Sequence, residues 1–329
     1  MSLKLSVLDQ SPIPEGSTAG DALRNTLDLA ALTDRLGYVR YWLAEHHGAA
    51  SLACASPEVM IGPVAGVTRH IRVGSGGIML PHYSPLKVAE SFSMLAGLYP
   101  GRIDLGIGRA AGTSPRVAKA LQRDQRLPPP DDFPQQLAEL RTYFANEHPV
   151  VQGTFACPDL WLLGSSAQSA EWAAELGLPY TFADFINPEG AVYTAHYRRY
   201  FVPSAGLEKP RTAVAVSAIC AETDEEAMRL SASLRMLLLL LFRGRTVPLP
   251  PVEKAEAFLR DEGLPFPMLP VGRRFITGSP KTVRAGIESV AREYGAEEVL
   301  IVTNVFEHAL RRRSYELIAA EFGIPGPGV

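Results

Sequence analysis

LKLSVLDQSP, residues 3–12, is an apolar run that reads as a strand and stops at Asp9-Gln10-Ser11-Pro12. The loop directly after that strand decides the fold. A doubly wound open sheet usually carries a glycine-rich turn at this point, where the backbone must approach a dinucleotide. No such turn comes after Asp9. The closed (β/α)8 barrel therefore becomes the expected architecture, provided strands and helices alternate along the rest of the chain.

They do. Apolar, β-branched runs predict eight strands at 3–9, 39–44, 71–79, 102–108, 160–164, 180–184, 213–221 and 298–303. Most are apolar throughout rather than alternating, as strands covered on both faces should be. Between them, Ser56-Pro57, Ser84-Pro85, Asn187-Pro188 and Ser279-Pro280 each pair an N-cap residue type with proline at the first helical position. Thr223 with Glu226 forms a capping-box pattern. Helices are expected over 21–36, 57–68, 85–98, 168–176, 188–201, 224–242 and 280–294. The surplus over the ~250 residues of a typical barrel falls between Arg126 and Trp161 and between Gly244 and Arg274. Strands resume after both stretches, so residues 1–329 are expected to form one domain with loop insertions.

Composition narrows the function classes. Of 329 residues, 47% are hydrophobic, ample for a thick core, and the formal charge is only −3. Arg311, Arg312 and Arg313 make the one basic cluster, on the final helix, and read as a solvated face; nucleic acid is not an expected partner. Cys54, Cys157 and Cys220 are widely spaced with no CxxC, which argues against a disulfide framework or structural zinc and fits a reducing cytoplasm. No signal peptide is evident at the N-terminus. The greasiest run, MLLLLLF from Met236 to Phe242, is far short of the ~20 residues of a membrane span. It suits a substrate entrance, a buried core or a dimer face.

Barrel active sites form where strands end and loops begin. At those ends stand Gln10, the Glu45-His46-His47 run, the Gly74-Ser75-Gly76-Gly77 stretch, Arg109, Ser165-Ser166, Asp184 and Asn304. A guanidinium matches phosphate oxygens with a planar fork of donors. Ser165 and Ser166 precede a helix whose free N–H groups favour an anion, and Ser169 lies one turn further on. Equally, Arg109 could salt-bridge at the surface and Ser166 merely cap. Glycines inside a strand suit a flat ligand stacked on the backbone or a simple bulge. The histidine pair could serve acid–base chemistry, a metal or loop hydrogen bonds, although no HExxH motif supports a metal. Neighbours on an extended segment face opposite ways, so only one histidine is expected to reach the cleft. Gly278-Ser279-Pro280 is a rival anion site, since barrels also bind phosphate after their last strands.

Five motifs in fixed order carry a resemblance: WLAEHHG from Trp42, GGIMLP from Gly76, KVAE from Lys87, GRIDLGIGR from Gly101 and SSAQSAEWAAELGLP from Ser165. Together they resemble the bacterial luciferase-like flavin monooxygenases, from the first strand to the GSPKTV and GAEEVLIV segments. The resemblance implies a (β/α)8 barrel using reduced FMN and molecular oxygen on a small organic substrate. It also implies a separate NAD(P)H-dependent flavin reductase and a homodimer. By motif, it implies that His46 is catalytic with His47 in support. Arg109, Ser166 and Ser169, with Ser165 beside them, would contact the flavin phosphate, and a cis Gly76–Gly77 peptide would lie beneath the isoalloxazine. Three positions depart from the pattern. Ser165 stands where the light-emitting members carry a carboxylate, Gly108 replaces a cysteine of those enzymes, and Ala110 replaces a glycine common in the family, which leaves light emission open. The rival readings are a deazaflavin-dependent dehydrogenase on the same barrel, a non-catalytic flavin-binding homologue and a metal hydrolase.

Overall fold

From β1 (Lys4–Asp9) the chain passes through α1 (Ala19–Leu36) to β2 (Arg40–Leu43), then α2 (Pro57–Val67), β3 (Arg72–Met79), a 3-10 turn at Leu80–His82, and α3 (Pro85–Leu98). This computed structural model describes residues 3–109, 114–121, 132–151, 154–263 and 273–326. β4 (Ile103–Gly108) leads to α4 (Pro115–Leu121) and α5 (Phe133–Phe144). Next come β5 (Asp159–Gly164), α6 (Ala167–Glu175), β6 (Tyr180–Ala183) and α7 (Ala191–Tyr200). The chain ends with β7 (Thr212–Cys220), α8 (Asp224–Phe242), α9 (Val252–Asp261), β8 (Phe275–Gly278), α10 (Pro280–Tyr294), β9 (Glu298–Val302) and α11 (His308–Phe322).

Eight parallel strands close a barrel, β1 to β7 in order and then β9, which returns to β1. The ninth strand, β8, is not among those expected from the sequence. Its four residues are too few, and too mixed in burial, to stand out from a proline-rich neighbourhood. β8 lies on the same edge of β7 as β6. β6 pairs with β7 from Thr212 to Ala215, and β8 takes over from Ser217 to Cys220. The two stretches read as loop insertions contain α5 and α9, and α4 lies just before the first of them. The spacing that builds α5 is regular, since Phe133, Leu137, Leu140 and Phe144 are all buried.

Helix starts reflect local chemistry, with differences from expectation. Ser56, Ser84 and Ser279 occupy N-cap positions, yet their hydroxyls make no cap bond; the preset φ of the next residue, proline, fixes those boundaries. α7 begins at Ala191, because Asn187 Oδ1 accepts from Glu189 N at 3.1 Å and holds Pro188 in a turn. Thr223 Oγ1 accepts from Glu226 N at 3.2 Å. A reciprocal capping box forms instead at Thr18 and Asp21.

The N-terminal floor of the barrel is a buried ionic plug. Arg40 Nη1 lies 2.6 Å from Asp104 Oδ2 and Arg40 Nε lies 2.9 Å from Glu298 Oε1, all three residues being buried. Trp42 Nε1 donates to Asp104 at 2.9 Å, and Trp42 packs edge-to-face on Trp161 with ring centroids 5.3 Å apart. Above the plug Leu8, Ala44, Ala213, Ala215, Leu300 and Val302 fill the interior. Buried charges of both signs are tolerable only because each finds a close partner.

Arg311 overturns the reading of a solvated basic face. It is 1% exposed, and its Nη2 donates to the fully buried Asp9 at 2.6 Å while Nε donates to Thr303 O at 2.9 Å. Only its neighbours lie outside, Arg312 with Asp28 and Arg313 with Glu222. Burial acting alone would raise the Asp9 carboxyl, but the Arg311 charge and bonds from Tyr41 and Ser11 hold it below its ordinary range. A helical position next to solvent-facing arginines carries no sign in the sequence that an aspartate at the end of β1 lies beneath it.

Candidate active site

Two adjoining cavities occupy the C-terminal mouth of the barrel. The smaller, of about 300 Å³, has Leu8, Trp42, Leu163 and Leu300 at its walls and Gly76, Gly77 and His46 beside it. Arg109, Ser165, Ser166 and Ser169 line it as well, so seven of the eight candidate residues meet there. His47 does not; it lines the larger cavity, of about 690 Å³. The two spaces share Gln10, His46, Phe185 and Ile186. Both histidines thus reach a cavity, contrary to expectation. β2 ends at Leu43, and the strand alternation that would send neighbours to opposite faces no longer applies at residues 46 and 47.

The glycines serve close packing as well as the cavity. The Gly76–Gly77 peptide is cis, and the β3–β4 register shifts between Gly76 and Ile78. A Cβ on Gly77 would stand 2.6 Å from Leu163 Cδ1 and 2.7 Å from Gly106 O. One on Gly76 would meet Leu8 Cδ1 at 2.4 Å. The bulge therefore lies on the cavity wall. At Gly108, by contrast, a Cβ meets nothing closer than Met79 Sδ at 3.5 Å.

Arg109 projects at the rim with its guanidinium over the Trp172 ring, 5.3 Å from the centroid. Among the described residues no carboxylate pairs with it. α6 opens beside it with Ser166 at the N-cap, whose hydroxyl makes no cap bond. The first N–H groups of α6 are thereby left for another acceptor. Ser169 is buried, donating to Ser166 O at 2.8 Å and bonded to Tyr180 OH at 2.8 Å. It braces the turn. The rival anion site is closed, because Asp224 Oδ1 already accepts from Ser279 N at 2.6 Å at the start of α10.

His46 Nδ1 is buried with no hydrogen-bond partner among the described residues. Burial pushes the imidazole down to about 4, the Ala44 backbone opposing it and the nearby His47 adding to it, so it is neutral at physiological pH. Glu45 is completely buried and attends to His47 instead. Its Oε1 lies 2.7 Å from His47 Nε2, and it also accepts from Tyr83 OH and Met79 N, each at 3.0 Å. The three-residue run thus splits its roles. Thr181 Oγ1, on the wall of the smaller cavity, is likewise buried without a partner among the described residues. Sequence reasoning missed Trp172, Tyr180 and Thr181, which are ordinary core residue types with nothing local to distinguish them.

A sequence profile described as luciferase-like monooxygenase matches residues 3–298. The chain belongs to the luciferase-like monooxygenase family. As a family member it is an enzyme, a monooxygenase. It is 41% identical over 322 residues to a luciferase-like monooxygenase of Escherichia coli (strain K12), covering 96% of each chain. Among solved structures, apo-MsnO8 superposes with a TM-score of 0.90 at 41% identity, covering 99% of each chain. The oxygenating constituent of 3,6-diketocamphane monooxygenase of Pseudomonas putida, a type II Baeyer-Villiger enzyme in complex with FMN, shares the fold. Its TM-score is 0.76 at 21% identity over 99% of this chain and 100% of that one.

In this luciferase-like monooxygenase the MLLLLLF run divides between two tasks. Leu237, Leu238 and Leu241, with Leu234, face the larger cavity, while Met236 and Leu240 pack on Ala255 and Leu259 of α9. Cys54 and Cys220 are buried free thiols, and Cys157 is exposed. Among the described residues, no group of three or more His, Cys, Asp or Glu side chains could hold a metal, and no helix is long and apolar enough to cross a membrane.

Proposed function

We propose that this monooxygenase uses reduced FMN and molecular oxygen to oxidise a small organic substrate, the reduced flavin being delivered by a separate NAD(P)H-dependent reductase. One observation carries the reading: a guanidinium without a counter-ion among the described residues, an uncapped helix N-terminus, a side-chain-free glycine pair and an imidazole with an open nitrogen all border one cavity. These residues fit FMN. Arg109, Ser165, Ser166 and the first N–H groups of α6 would hold the phosphate, and Ser169 would keep that turn in place. Gly76 and Gly77 would let a flat ring lie against the backbone. The FMN in the diketocamphane enzyme, which shares this fold, supports the choice of cofactor.

When bound, reduced FMN supplies the electrons with which oxygen is activated. The chain contributes the environment. Leu8, Trp42, Leu163 and Leu300 exclude water from the depth of the cavity. His46, neutral and unbonded at Nδ1, offers a ring nitrogen there that can accept a proton or a hydrogen bond at neutral pH. His47, positioned by Glu45, faces the adjoining space in support. Exposed apolar side chains on neighbouring helices, Val59 and Val67 on α2 with Met94 and Leu98 on α3, support a homodimer.

Titrating the purified chain with FMN and with a deazaflavin tests the cofactor. FMN should bind, Arg109→Met should weaken it about 100-fold, and reduced FMN supplied by a reductase should drive oxygen uptake that His46→Ala lowers. Preference for the deazaflavin, or FMN binding untouched by Arg109→Met, would sink the reading.

A further inference from the structure

The larger cavity carries a charge that the reading of the smaller one leaves unused. Arg273 lines it, two residues before β8. Its Nη1 donates to the neutral carbonyl of Phe185 at 2.6 Å, and its guanidinium lies over the Phe242 ring, 5.7 Å from the centroid. Among the described residues no carboxylate pairs with Arg273. Burial pushes it below its ordinary value, as expected of a cation partly withdrawn from water without a counter-charge. The Phe185 carbonyl fixes it against the wall common to both cavities.

Opposite chemistry faces it. Leu234, Leu237, Leu238 and Leu241 of α8 share the i, i+3, i+4, i+7 spacing of one helix stripe, and all four line the same space. On the same cavity wall, Ser217 Oγ and Asn304 Oδ1 are buried with no hydrogen-bond partner among the described residues. A leucine wall, two open polar atoms and one uncompensated guanidinium do not describe a site for a plain hydrocarbon, whose binding would leave the charge stranded. They do not describe a site for a cation either. At about 690 Å³ the space is within the range of small-molecule pockets.

We propose that the larger cavity is a substrate site for an amphipathic organic anion, with its carboxylate or sulfonate on Arg273 and its apolar tail along the α8 leucines. This rests on the reading of the smaller cavity as the flavin site, which makes the occupant of the adjoining space the substrate.

Calorimetric titration of the full chain with octanoate, octanesulfonate, 1-octanol, octylamine and acetate tests it directly. Octanoate or octanesulfonate should bind about 10-fold tighter than 1-octanol, or better, with octylamine and acetate weaker still. Arg273→Gln should weaken the favoured anion about 10- to 100-fold, the range of a charge-assisted bond, and leave 1-octanol unchanged. Leu238→Asn should weaken the anion and the alcohol together. Equal binding of alcohol and both anions by the wild-type chain, a contrast that needs no variant to fold, would overturn the proposal. So would anion binding indifferent to Arg273→Gln. FMN titration is scored separately. Anion selectivity without FMN affinity would leave the anion site standing and remove the flavin reading, whereas FMN affinity without anion selectivity would do the reverse.

Discussion

Arg311→Met should be among the most damaging single changes available outside the active site. The arginine is 1% exposed, and its partner Asp9 is fully buried at the end of β1. Removing one member of such a pair strands the other charge, at a cost of about 3–5 kcal/mol. Asp9 would keep Tyr41, Thr26 Oγ1 at 2.8 Å and Ser11 N at 2.6 Å as donors. That residual solvation places the loss near the lower end, about 3 kcal/mol. Linkage sets the sign with pH. A carboxyl held below its ordinary 3.8 contributes stability above that pH and loses it as pH falls through its own lowered value. In Arg311→Met the carboxyl rises and protonates earlier, which relieves the penalty. The gap between wild type and variant, measured by urea unfolding, should be widest near neutral pH and narrow below about pH 4. Adding Asp9→Asn should recover about 1 kcal/mol or more of the loss. A neutral-pH gap under about 1 kcal/mol, or one that does not narrow in acid, would refute this account.

Gly77→Ala drives a methyl to within 2.7 Å of the Gly106 carbonyl. It should cost about 1–3 kcal/mol in thermal or urea unfolding and weaken FMN binding, whereas Gly108→Ala should fold normally. His46 resists protonation down to about 4 in the folded chain, against the ordinary 6.5 when unfolded. It therefore withdraws up to about 3 kcal/mol of stability as pH falls through that interval. His46→Gln should flatten that part of the stability–pH curve, and an unchanged slope would count against the burial. Leu98→Glu with Met94→Glu places charges on residues 70% and 69% exposed. The pair should halve the mass measured by light scattering while leaving monomer stability within about 0.5 kcal/mol.

The barrel was legible because most of its eight strands are continuous apolar runs, a property visible one segment at a time. Arg109, Ser166 and His46 could be nominated for the same reason, since each stands just past a strand or opens a helix, and the motifs around them are local. What escaped depends on where distant segments cross. Arg311 looks like its solvated neighbours until Asp9 is placed beneath it. Glu45 sits next to His46 in the chain, yet its carboxylate turns to His47, Tyr83 and the Met79 amide, a choice made by the end of β3 and the 3-10 turn. Arg273 carries no motif, and it gains meaning only when four leucines of α8 line the same space. β8 was too short to announce itself, and α5 was masked by the prolines around it.

The hand-over on β7 has an implication for how such an enzyme can change its diet. β6 stops at Ala183, and β8 continues the same edge of β7 from Ser217 upward. Phe275, and with it the nearby Arg273, is thereby tethered to the wall by a ladder that the ring of eight does not need for closure. Residues carried by α8, α9 and β8 can drift in size and charge while the register of the ring below, and the glycine pair and Arg109 on it, stay where they are. On the proposed reading, what is accepted and how it is processed would then be housed on different strands.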